Sequence, residues 1–341
     1  MTTRVLPGRL VAHGFSLRKR KWVRRFTGRA DVRFVRSLQR VPTDATLLLW
    51  GSAALPAGAP ADMPVVRIED GFVRSVGLGA DLVAPLSWVI DTRGIYYNAQ
   101  SPSDLEHLLQ TATFDAALCA RAAALRARLV AEGISKYNLG HAAWQRPAGA
   151  ARVVLVTGQV ETDASIRHGA PGIRTNTDLL RAVRAAEPDA YVVYKPHPDV
   201  VAGLRAAGRS ENEATRWCDE VLTHAAIAQL LDQVDEVHVM TSLTGFEALL
   251  RGRRVVCYGQ PFYAGYGLTT DICPPTRRTR RLTLDELVAG ALIGYPIYLS
   301  RKTAEQCEVE QAIDELVQWR ATSTNTDAWW RRALRPFLKR P

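Results

Sequence analysis

The sequence predicts an α/β protein in which two Rossmann-like domains face each other across a cleft. In the middle of the chain, short apolar runs at 153–156 and 191–194 flank a segment at 177–187 whose apolar residues have helical spacing. Each run stops abruptly at polar residues, which is typical of buried parallel strands in a βαβ unit. A second set of alternating strand and helix signals precedes this unit, and residues 135–150 are predicted to join the two halves.

The first half of the chain carries three strand signals, followed by two helix signals. Strands are predicted at 46–50, 65–68 and 86–91. A helix is predicted to begin at Ser101, because serine can cap a helix, Pro102 suits the first turn and Asp104 stands three residues after the cap. An alanine-rich helix is predicted at 116–131.

The second half continues the alternation beyond the central unit, and Gly252 is predicted to end one of its helices. Strands are predicted at 236–240 and 255–258, and helices at 225–231, 246–251, 284–293 and 303–319. These signals predict a basic N-terminal segment at 1–40 and Rossmann-like domains at 41–145, on the acceptor side, and 146–305, on the donor side. C-terminal helices with a basic tail are predicted at 306–341.

Composition limits the classes of function. A chain of 341 residues has room for two domains, and its net charge of +10 indicates an anionic partner: nucleic acid, a membrane surface or a small anion. The five cysteines form no CxxC pair, so a zinc knuckle is not expected. Their odd number and wide spacing predict free thiols in a reducing compartment. The start lacks an apolar run of signal-peptide length, and no stretch of about 18 apolar residues occurs. We therefore expect a cytosolic chain.

The N-terminal segment concentrates positive charge, with Arg18 and Lys21 among the basic residues around Trp22 and Phe26. This pattern fits either a solvated amphipathic helix or a contact with an anionic membrane surface or acceptor. Nucleic acid is less favoured, because no recognised binding module accompanies the charge.

Several familiar catalytic motifs are missing. The sequence has no GxxxxGK[ST] loop, no GxGxxG opening a helix after the first strand and no GxSxG elbow. It also lacks DxD, the usual divalent clamp for nucleotide sugars, to which Glu161-Thr162-Asp163 is the nearest approach. We therefore expect neither a metal nor a cofactor.

Polar residues follow the two central strands. In open α/β sheets the ligand crevice lies at the carboxyl ends of the strands, so these residues should share one rim. They are Glu161, Asp163, Ser165, Lys195 and His197. The Asp163 carboxylate can attack an anomeric carbon, or it can simply form an Asx turn or helix cap. His197, held between two prolines, can donate to a phosphate or a leaving-group oxygen, or can belong to a structural turn.

A helix start after the next strand provides a candidate anion site. Ser242, Thr244 and Gly245 combine hydroxyls with unpaired backbone N–H groups, although plain helix capping explains them equally well. Glu247, one turn later, can accept from a ribose hydroxyl or be a surface carboxylate.

In the first half, Glu69 and Asp70 end a strand and should lie across the cleft from the other candidates. Either can serve as the base for an acceptor hydroxyl. The alternative is an ion pair with Arg67 or Arg74.

Taken together, several long motifs resemble the KpsC-type capsule polysaccharide β-Kdo transferases. The similarity covers about residues 46–300. The motifs, in chain order, are RIEDGFVRSVGLG (67–79), PLSWVIDTRGIYYN (85–98), SKYNLG (135–140), GQVETDASI (158–166), YKPHPDV (194–200), SLTGFEALLRG (242–252) and YGQPFYAGYGLTTD (258–271).

The resemblance implies a GT-B-like glycosyltransferase that moves Kdo from CMP-β-Kdo to a glycolipid or Kdo acceptor, with retention and without a metal. It implies that Asp163 is the nucleophile and that His197, protonated, faces the phosphate. It further implies peripheral attachment at the inner face of the cytoplasmic membrane. The remaining donor-site candidates are Gln159, Ser165, Lys195, Pro198, Ser242, Thr244, Gly245 and Glu247. Arg74 is the candidate for binding the acceptor or the sugar carboxylate.

The chain also departs from the family pattern. KpsC carries two such modules and this sequence carries one, which favours addition of a single linkage type. The family loop commonly has two acidic residues before Ala-Ser, whereas Thr162 stands at the first position here. Two alternatives stay open: transfer of another CMP-activated ulosonic acid, or a non-catalytic glycan-binding relative.

Overall fold

The computed structural model describes residues 6–39, 41–42, 44–75, 84–136 and 143–322 of the chain. Within these ranges the backbone forms two β-sheets, flanked by helices. Motif residues 76–79 and 137–140 and most of the predicted basic tail, 323–341, lie outside the described residues.

The first sheet combines the first five strands of the chain with its last two. They are β1 (Arg9–His13), β2 (Arg33–Val35), β3 (Ala45–Trp50), β4 (Val65–Asp70), β5 (Ser87–Asp91), β12 (Pro296–Leu299) and β13 (Gln306–Cys307). Their order is β13-β12-β5-β4-β3-β1-β2. The strands β1 to β4 are parallel, whereas β5, β12 and β13 pair antiparallel, so this sheet is mixed.

Three helices belong to this half: α1 (Leu17–Thr27), α2 (Asp104–Thr111) and α3 (Ala116–Ala131). The cap of α2 is Ser103 rather than the predicted Ser101, because the Ser103 side chain accepts from the Glu106 N–H. Asp115 caps α3 in the same way.

The second sheet confirms the parallel α/β pattern of the central region. Its strands are β6 (Val153–Thr157), β7 (Tyr191–Lys195), β8 (Glu220–Val221), β9 (Glu236–Val239), β10 (Arg254–Cys257) and β11 (Thr270–Asp271). They lie in the order β11-β10-β9-β6-β7-β8, and every pair is parallel. All five residues of β6 are buried, which explains why its sequence is an unbroken apolar run.

The remaining helices are α4 (Ala164–Gly169), α5 (Asn176–Ala186), α6 (Pro198–Val201), α7 (Ile227–Gln233), α8 (Leu243–Leu250), α9 (Leu284–Val288) and α10 (Val309–Thr322). A π-helical segment, Ala289–Gly294, continues α9 and completes the predicted helix at 284–293. The helix predicted to start at 303 starts at Val309, because β13 occupies the residues before it.

The domain boundaries differ from the predicted ones at both ends. The N-terminal segment is part of the first domain, since β1 lies between β3 and β2 and α1 buries Val23 and Phe26 completely. The chain also returns to the first sheet at β12, before the predicted boundary at 305. Both differences arise from strand pairing between distant parts of the chain.

The two domains share one continuous hydrophobic core, which contains Val89 of the first sheet and Leu155 of the second. Aromatic rings cross the junction: Phe72 stacks on Phe262 at 4.4 Å between centroids and lies 6.2 Å from Phe246. This shared packing sets the position of one sheet edge relative to the other.

Among the described residues, no helix has both the length and the apolar character needed to cross a membrane.

Candidate active site

A cleft of about 600 Å³ lies between the two sheets, at the carboxyl ends of β3 and β4 on one side and of β6, β7 and β9 on the other. It is lined by all of the predicted site and rim residues except Arg74, Glu161 and Gly245. Those that line it are Glu69, Asp70, Gln159, Asp163, Ser165, Lys195, His197, Pro198, Ser242, Thr244 and Glu247. Residues predicted from separate motifs therefore meet in one cavity.

Asp163 occupies the N-cap position of α4, but its side chain makes no capping hydrogen bond. The carboxylate is 42% exposed, and its Oδ1 lies 3.8 Å from the Arg205 guanidinium. A carboxylate that does not cap its own helix can approach a ligand in the cleft. The geometry therefore suits an attacking group, while the role itself stays a prediction.

His197 caps the short helix α6 through its ring, because Nδ1 accepts the Asp199 N–H at 3.1 Å. Burial lowers the pKa of His197 to about 4; Asp163 opposes this shift, and the Lys136 and Arg205 cations add to it. The ring is therefore neutral near pH 7 and carries its proton on Nε2. Burial of the ring therefore disfavours the protonated imidazole that the resemblance implied, since charging a desolvated group is unfavourable. The neutral ring can still donate one hydrogen bond.

Two more groups from the strand ends line the cleft beside His197. Lys195 ends β7 and is partly buried, which lowers the pKa of its ammonium group. Thr157 ends β6, and its hydroxyl is buried without a hydrogen-bond partner among the described residues. A buried hydroxyl with no partner is costly, so a ligand oxygen is a natural partner for Thr157. Thr157 was not among the predicted site residues, although it directly follows the apolar run at 153–156.

The start of α8 confirms the capping interpretation of its sequence, while the anion site stays a prediction. The Ser242 hydroxyl accepts the Thr244 N–H at 3.2 Å, so Ser242 does cap the helix. Gly245 is buried and faces away from the cleft: a Cβ there would overlap the Tyr263 hydroxyl, which donates to the Ser242 carbonyl. Gly245 therefore permits the packing that holds the helix start at the rim.

Gln159 and Glu247 line the cleft but also hold its backbone together. The Gln159 amide accepts the Thr241 N–H at 2.8 Å and donates to the Thr241 hydroxyl at 3.0 Å, which ties the end of β6 to the end of β9. Glu247 Oε1 accepts the Lys136 N–H at 2.8 Å, and burial raises the pKa of this carboxyl. Both side chains position the rim, and a direct donor contact from either stays a prediction.

The acidic loop does not form a metal clamp with Asp163. Glu161 accepts the Asn176 N–H at 2.8 Å and the Arg209 N–H at 2.9 Å, so backbone groups occupy both of its oxygens. Elsewhere in the described ranges, the side chains of Glu187, Glu236 and His238 lie close enough together to hold a metal ion. Arg152 donates to Glu187 and to Glu236, each at 2.6 Å. A guanidinium therefore fills the place of a cation there, and metal independence stays a prediction.

On the opposite edge, Asp70 is engaged through both oxygens. Its Oδ2 accepts from Arg74 Nε at 2.7 Å, and its Oδ1 accepts from Trp88 Nε1 at 3.1 Å. The ion pair offered as the alternative for this carboxylate is therefore present, with Arg74 rather than Arg67. Arg67 instead donates to the Gly51 carbonyl at 2.7 Å. Because Arg74 is buried against Asp70, its guanidinium does not line the cleft.

Glu69 differs from its neighbour. Burial and the Asp70 carboxylate raise the pKa of Glu69 to about 7, against the opposing pull of Lys19 and Lys136. Its Oε1 accepts the Asp70 N–H at 2.9 Å. Gly51, at φ +52°, makes room for the other oxygen, since a Cβ there would lie 2.7 Å from Glu69 Oε2. A carboxyl with a pKa near 7 in a cleft has the properties of a general base.

Sequence reasoning missed several residues that the tertiary structure brings to the cleft. Lys136 lies in the motif at 135–140, which was predicted to be a hinge and to match the family but was given no role in the site. Lys19 lies in a helix predicted only from its basic character; its ammonium is 2.9 Å from the centroid of the Trp50 ring, which lines the cleft. Lys136 lines the cleft itself, as do the other missed residues Thr157, Tyr96, Tyr97 and Arg205.

Comparison with known proteins agrees with this architecture. The profile of the capsule polysaccharide biosynthesis protein family matches residues 51–148 and 117–299. Capsule polysaccharide modification protein LipA of Neisseria meningitidis serogroup A is 46% identical over 332 residues, which are 94% of this chain and 47% of LipA. Lipopolysaccharide-processing protein LpsZ of Rhizobium meliloti is 42% identical over 282 residues, 80% of this chain and 64% of LpsZ. The chain thus spans about half the length of LipA.

Two solved structures from Thermosulfurimonas dismutans are similar over nearly their whole length. The KpsC β-Kdo 2,7 transferase is 39% identical with a TM-score of 0.75, covering 91% of this chain and 99% of that one. The KpsC β-Kdo 2,4 transferase is 31% identical with a TM-score of 0.79, covering 91% and 98%. Profile, relatives and fold agree, and the chain belongs to the capsule polysaccharide biosynthesis protein family.

Proposed function

We propose that the chain is a retaining β-Kdo transferase that moves Kdo from CMP-β-Kdo to a glycolipid or Kdo acceptor. The observation that carries this proposal is the meeting of Asp163, His197 and Glu69 in one cleft, from two different domains. The two KpsC structures, of a β-Kdo 2,7 transferase and a β-Kdo 2,4 transferase, support the choice of sugar at 39% and 31% identity.

In the first step, the Asp163 carboxylate attacks the anomeric carbon of the donor. The bond from that carbon to the phosphate oxygen breaks, and CMP leaves with the electron pair. The neutral His197 ring donates from Nε2 to a phosphate oxygen, and the Lys195 ammonium and Thr157 hydroxyl add positive charge and a hydrogen bond. These groups stabilise the charge that grows on the departing phosphate.

In the second step, an acceptor hydroxyl attacks the same carbon and releases Asp163 as a free carboxylate. Glu69 takes the proton of that hydroxyl, while Asp70, held by Arg74 and Trp88, keeps the strand end in place. Two displacements at one carbon return the original configuration, as in retaining glycosidases. No metal takes part in either step.

The basic helix α1 suits contact with anionic lipid at the inner face of the cytoplasmic membrane. Arg18 and Lys21 are exposed on it, Leu17 is 78% exposed, and Lys19 reaches the cleft mouth at Trp50. Each such cation near an anionic membrane contributes about 1 kcal/mol. A lipid-linked acceptor would then meet the cleft on the first-domain side.

The deciding experiment is incubation with CMP-Kdo, generated in situ, and a short Kdo-glycolipid mimic, with CMP-sialic acid in parallel. The expected product is a β-linked Kdo conjugate by NMR, and the protein alone with donor should gain the mass of one Kdo residue. An α-linked product would overturn retention, and transfer only from CMP-sialic acid would change the sugar. Absence of transfer from both donors would favour the glycan-binding relative.

A further inference from the structure

Lys136 is held at the junction of the two domains by its backbone. Its N–H donates to Glu247 Oε1 of α8 at 2.8 Å, and its carbonyl accepts the N–H groups of Arg74 and Ser75 at 3.2 and 3.3 Å. These three contacts come from both domains, so they set the Cα of Lys136 relative to both edges of the cleft. The residue is partly buried and lines the cavity.

The Lys136 ammonium acts on groups at both edges. Burial and Asp70 raise the pKa of Glu69, and Lys136 opposes that rise. Burial lowers the pKa of His197, and Lys136 adds to that fall. Lys136, Glu69 and His197 line the same cavity, which agrees with an influence of this cation on both groups. In the proposed reaction, the reacting carbon of the donor occupies the same region.

The donor poses an electrostatic problem in that region. An ulosonic acid bears its carboxylate on the anomeric carbon itself, so the attacking Asp163 carboxylate must approach a second negative charge. Cations on the second-domain edge, Lys195 and Arg205, lie near the phosphate side. Arg74, the predicted carboxylate partner, is buried against Asp70. A further cation is needed for the sugar carboxylate, and Lys136 lines the cleft.

We propose that the Lys136 ammonium is the counter-ion of the donor carboxylate and so selects an acidic sugar over a neutral one. This inference rests on the proposed function and specifies the recognition at the same site. It predicts that Lys136 contributes to binding of the sugar and contributes little to binding of the nucleotide.

The test compares CMP-Kdo with CMP, which has the phosphate but lacks the sugar carboxylate. In Lys136→Met, the KM for CMP-Kdo should rise about 10- to 100-fold, the usual effect of losing one charge-assisted hydrogen bond. Inhibition by CMP should stay within about twofold, because the nucleotide contacts are unchanged. Lys136→Arg should restore most of the donor affinity. The backbone contacts of Lys136 survive these changes, and an unchanged melting temperature checks that the protein is folded.

Lys195→Met is the matched control, since loss of a phosphate contact should weaken CMP and CMP-Kdo alike. If Lys136→Met lowers the affinities for CMP and CMP-Kdo equally, the ammonium binds the phosphate. If both affinities are unchanged, the ammonium does not contact the donor. Either result overturns the inference. Calorimetric binding of the same two ligands is measured in an Asp163→Ala background, in which no covalent sugar can form. If Asp163→Ala with Lys136 intact binds CMP-Kdo no better than CMP, the inference fails whatever the reaction is. If the wild type binds but transfers no Kdo, the proposed function fails alone.

Discussion

The two edges of the cleft carry opposite chemistry. The edge from the second domain presents cations and hydroxyls, with Lys195, Arg205 and Thr157 near the 42% exposed carboxylate of Asp163. The edge from the first domain presents two adjacent carboxylates, together with the aromatic residues Trp50, Tyr96 and Tyr97. In the proposed reaction, the first of these edges holds the anionic donor, and the second accepts a proton and contacts the flat face of a sugar.

The difference follows from how the edges are made. The second sheet is entirely parallel, so strand ends and helix starts converge and point N–H groups and short polar side chains into the crevice. The first sheet is mixed, and the antiparallel strand β5 places Trp88 against Asp70. That contact holds the Asp70 carboxylate in place. Its neighbour Glu69 is partly buried, and its pKa is raised.

The largest expected effect tests the second-domain edge. Asp163→Ala should lower the transfer rate at least about a thousandfold, because it removes the attacking group. Stability should change little, since the side chain is 42% exposed and makes no capping bond. Initial rates and thermal melts measure both quantities, with the exposed Asp62→Asn as a control. Transfer at the wild-type rate by Asp163→Ala would exclude the proposed nucleophile.

The next effect tests the first-domain edge and separates its two carboxylates. Glu69→Gln should lower transfer about a hundredfold, as expected for loss of a general base. Asp70→Asn should instead lower the free energy of unfolding by about 3 kcal/mol, because it leaves Arg74 buried without its charged partner. Turnover and denaturant melts on both variants give the comparison. The reverse pattern, with Asp70→Asn folded normally but inactive, would exchange the two roles.

The raised pKa of Glu69 makes this contrast depend on pH. A base must be deprotonated, so the wild-type transfer rate should fall as the pH drops through about 7. In Glu69→Gln this fall in rate should be absent. In His197→Ala the rate should be lower at every pH but should still fall near pH 7, because the pKa of His197 is about 4. The folded state raises the pKa of Glu69 and so disfavours its charged form. Glu69→Gln should therefore melt at a higher temperature than wild type above pH 7, and this gain should fade in acid. If the transfer rate of Glu69→Gln still falls near pH 7, Glu69 is not the base.

The smallest effect concerns the outer surface of the first domain. Deletion of the N-terminal segment would remove β1 and the buried face of α1, so charge substitution is the cleaner test. Arg18→Gln with Lys21→Gln should weaken binding to phosphatidylserine vesicles about tenfold or more, at about 1 kcal/mol per charge, and the weakening should shrink in high salt. Arg181→Gln with Arg216→Gln, exposed on the second domain, is the matched pair. Equal vesicle binding by all variants would remove α1 from the membrane contact.

Local patterns predicted one edge of the cleft better than the other. Asp163, Lys195 and His197 each directly follow or closely follow an apolar run, so their shared location could be derived from the strand ends. At the first edge, two adjacent acids gave no local basis for telling Glu69 from Asp70. The contacts that distinguish them come from Arg74 and from Trp88, a residue on another strand.

The ionisation of His197 could not be predicted from its motif either. Two prolines around an imidazole indicate a fixed backbone, but whether the ring is charged depends on burial and on the cations that surround it. Lys136 illustrates the same limit from the other side. Its motif was read as a hinge, and only the contacts with Glu247 and with the backbone of the first domain bring it to the cleft.

The amino-acid sequence alone determined the α/β class, the parallel second sheet and the set of polar residues at its carboxyl edge, because these depend on short-range periodicity and on where apolar runs stop. Tertiary structure alone decided that the N-terminal segment belongs to the first sheet, that Arg74 pairs with Asp70 rather than with Glu69, and that Lys136 lines the cleft. Those outcomes depend on pairings between residues far apart in the chain and on the desolvation that the pairings produce, neither of which local sequence encodes.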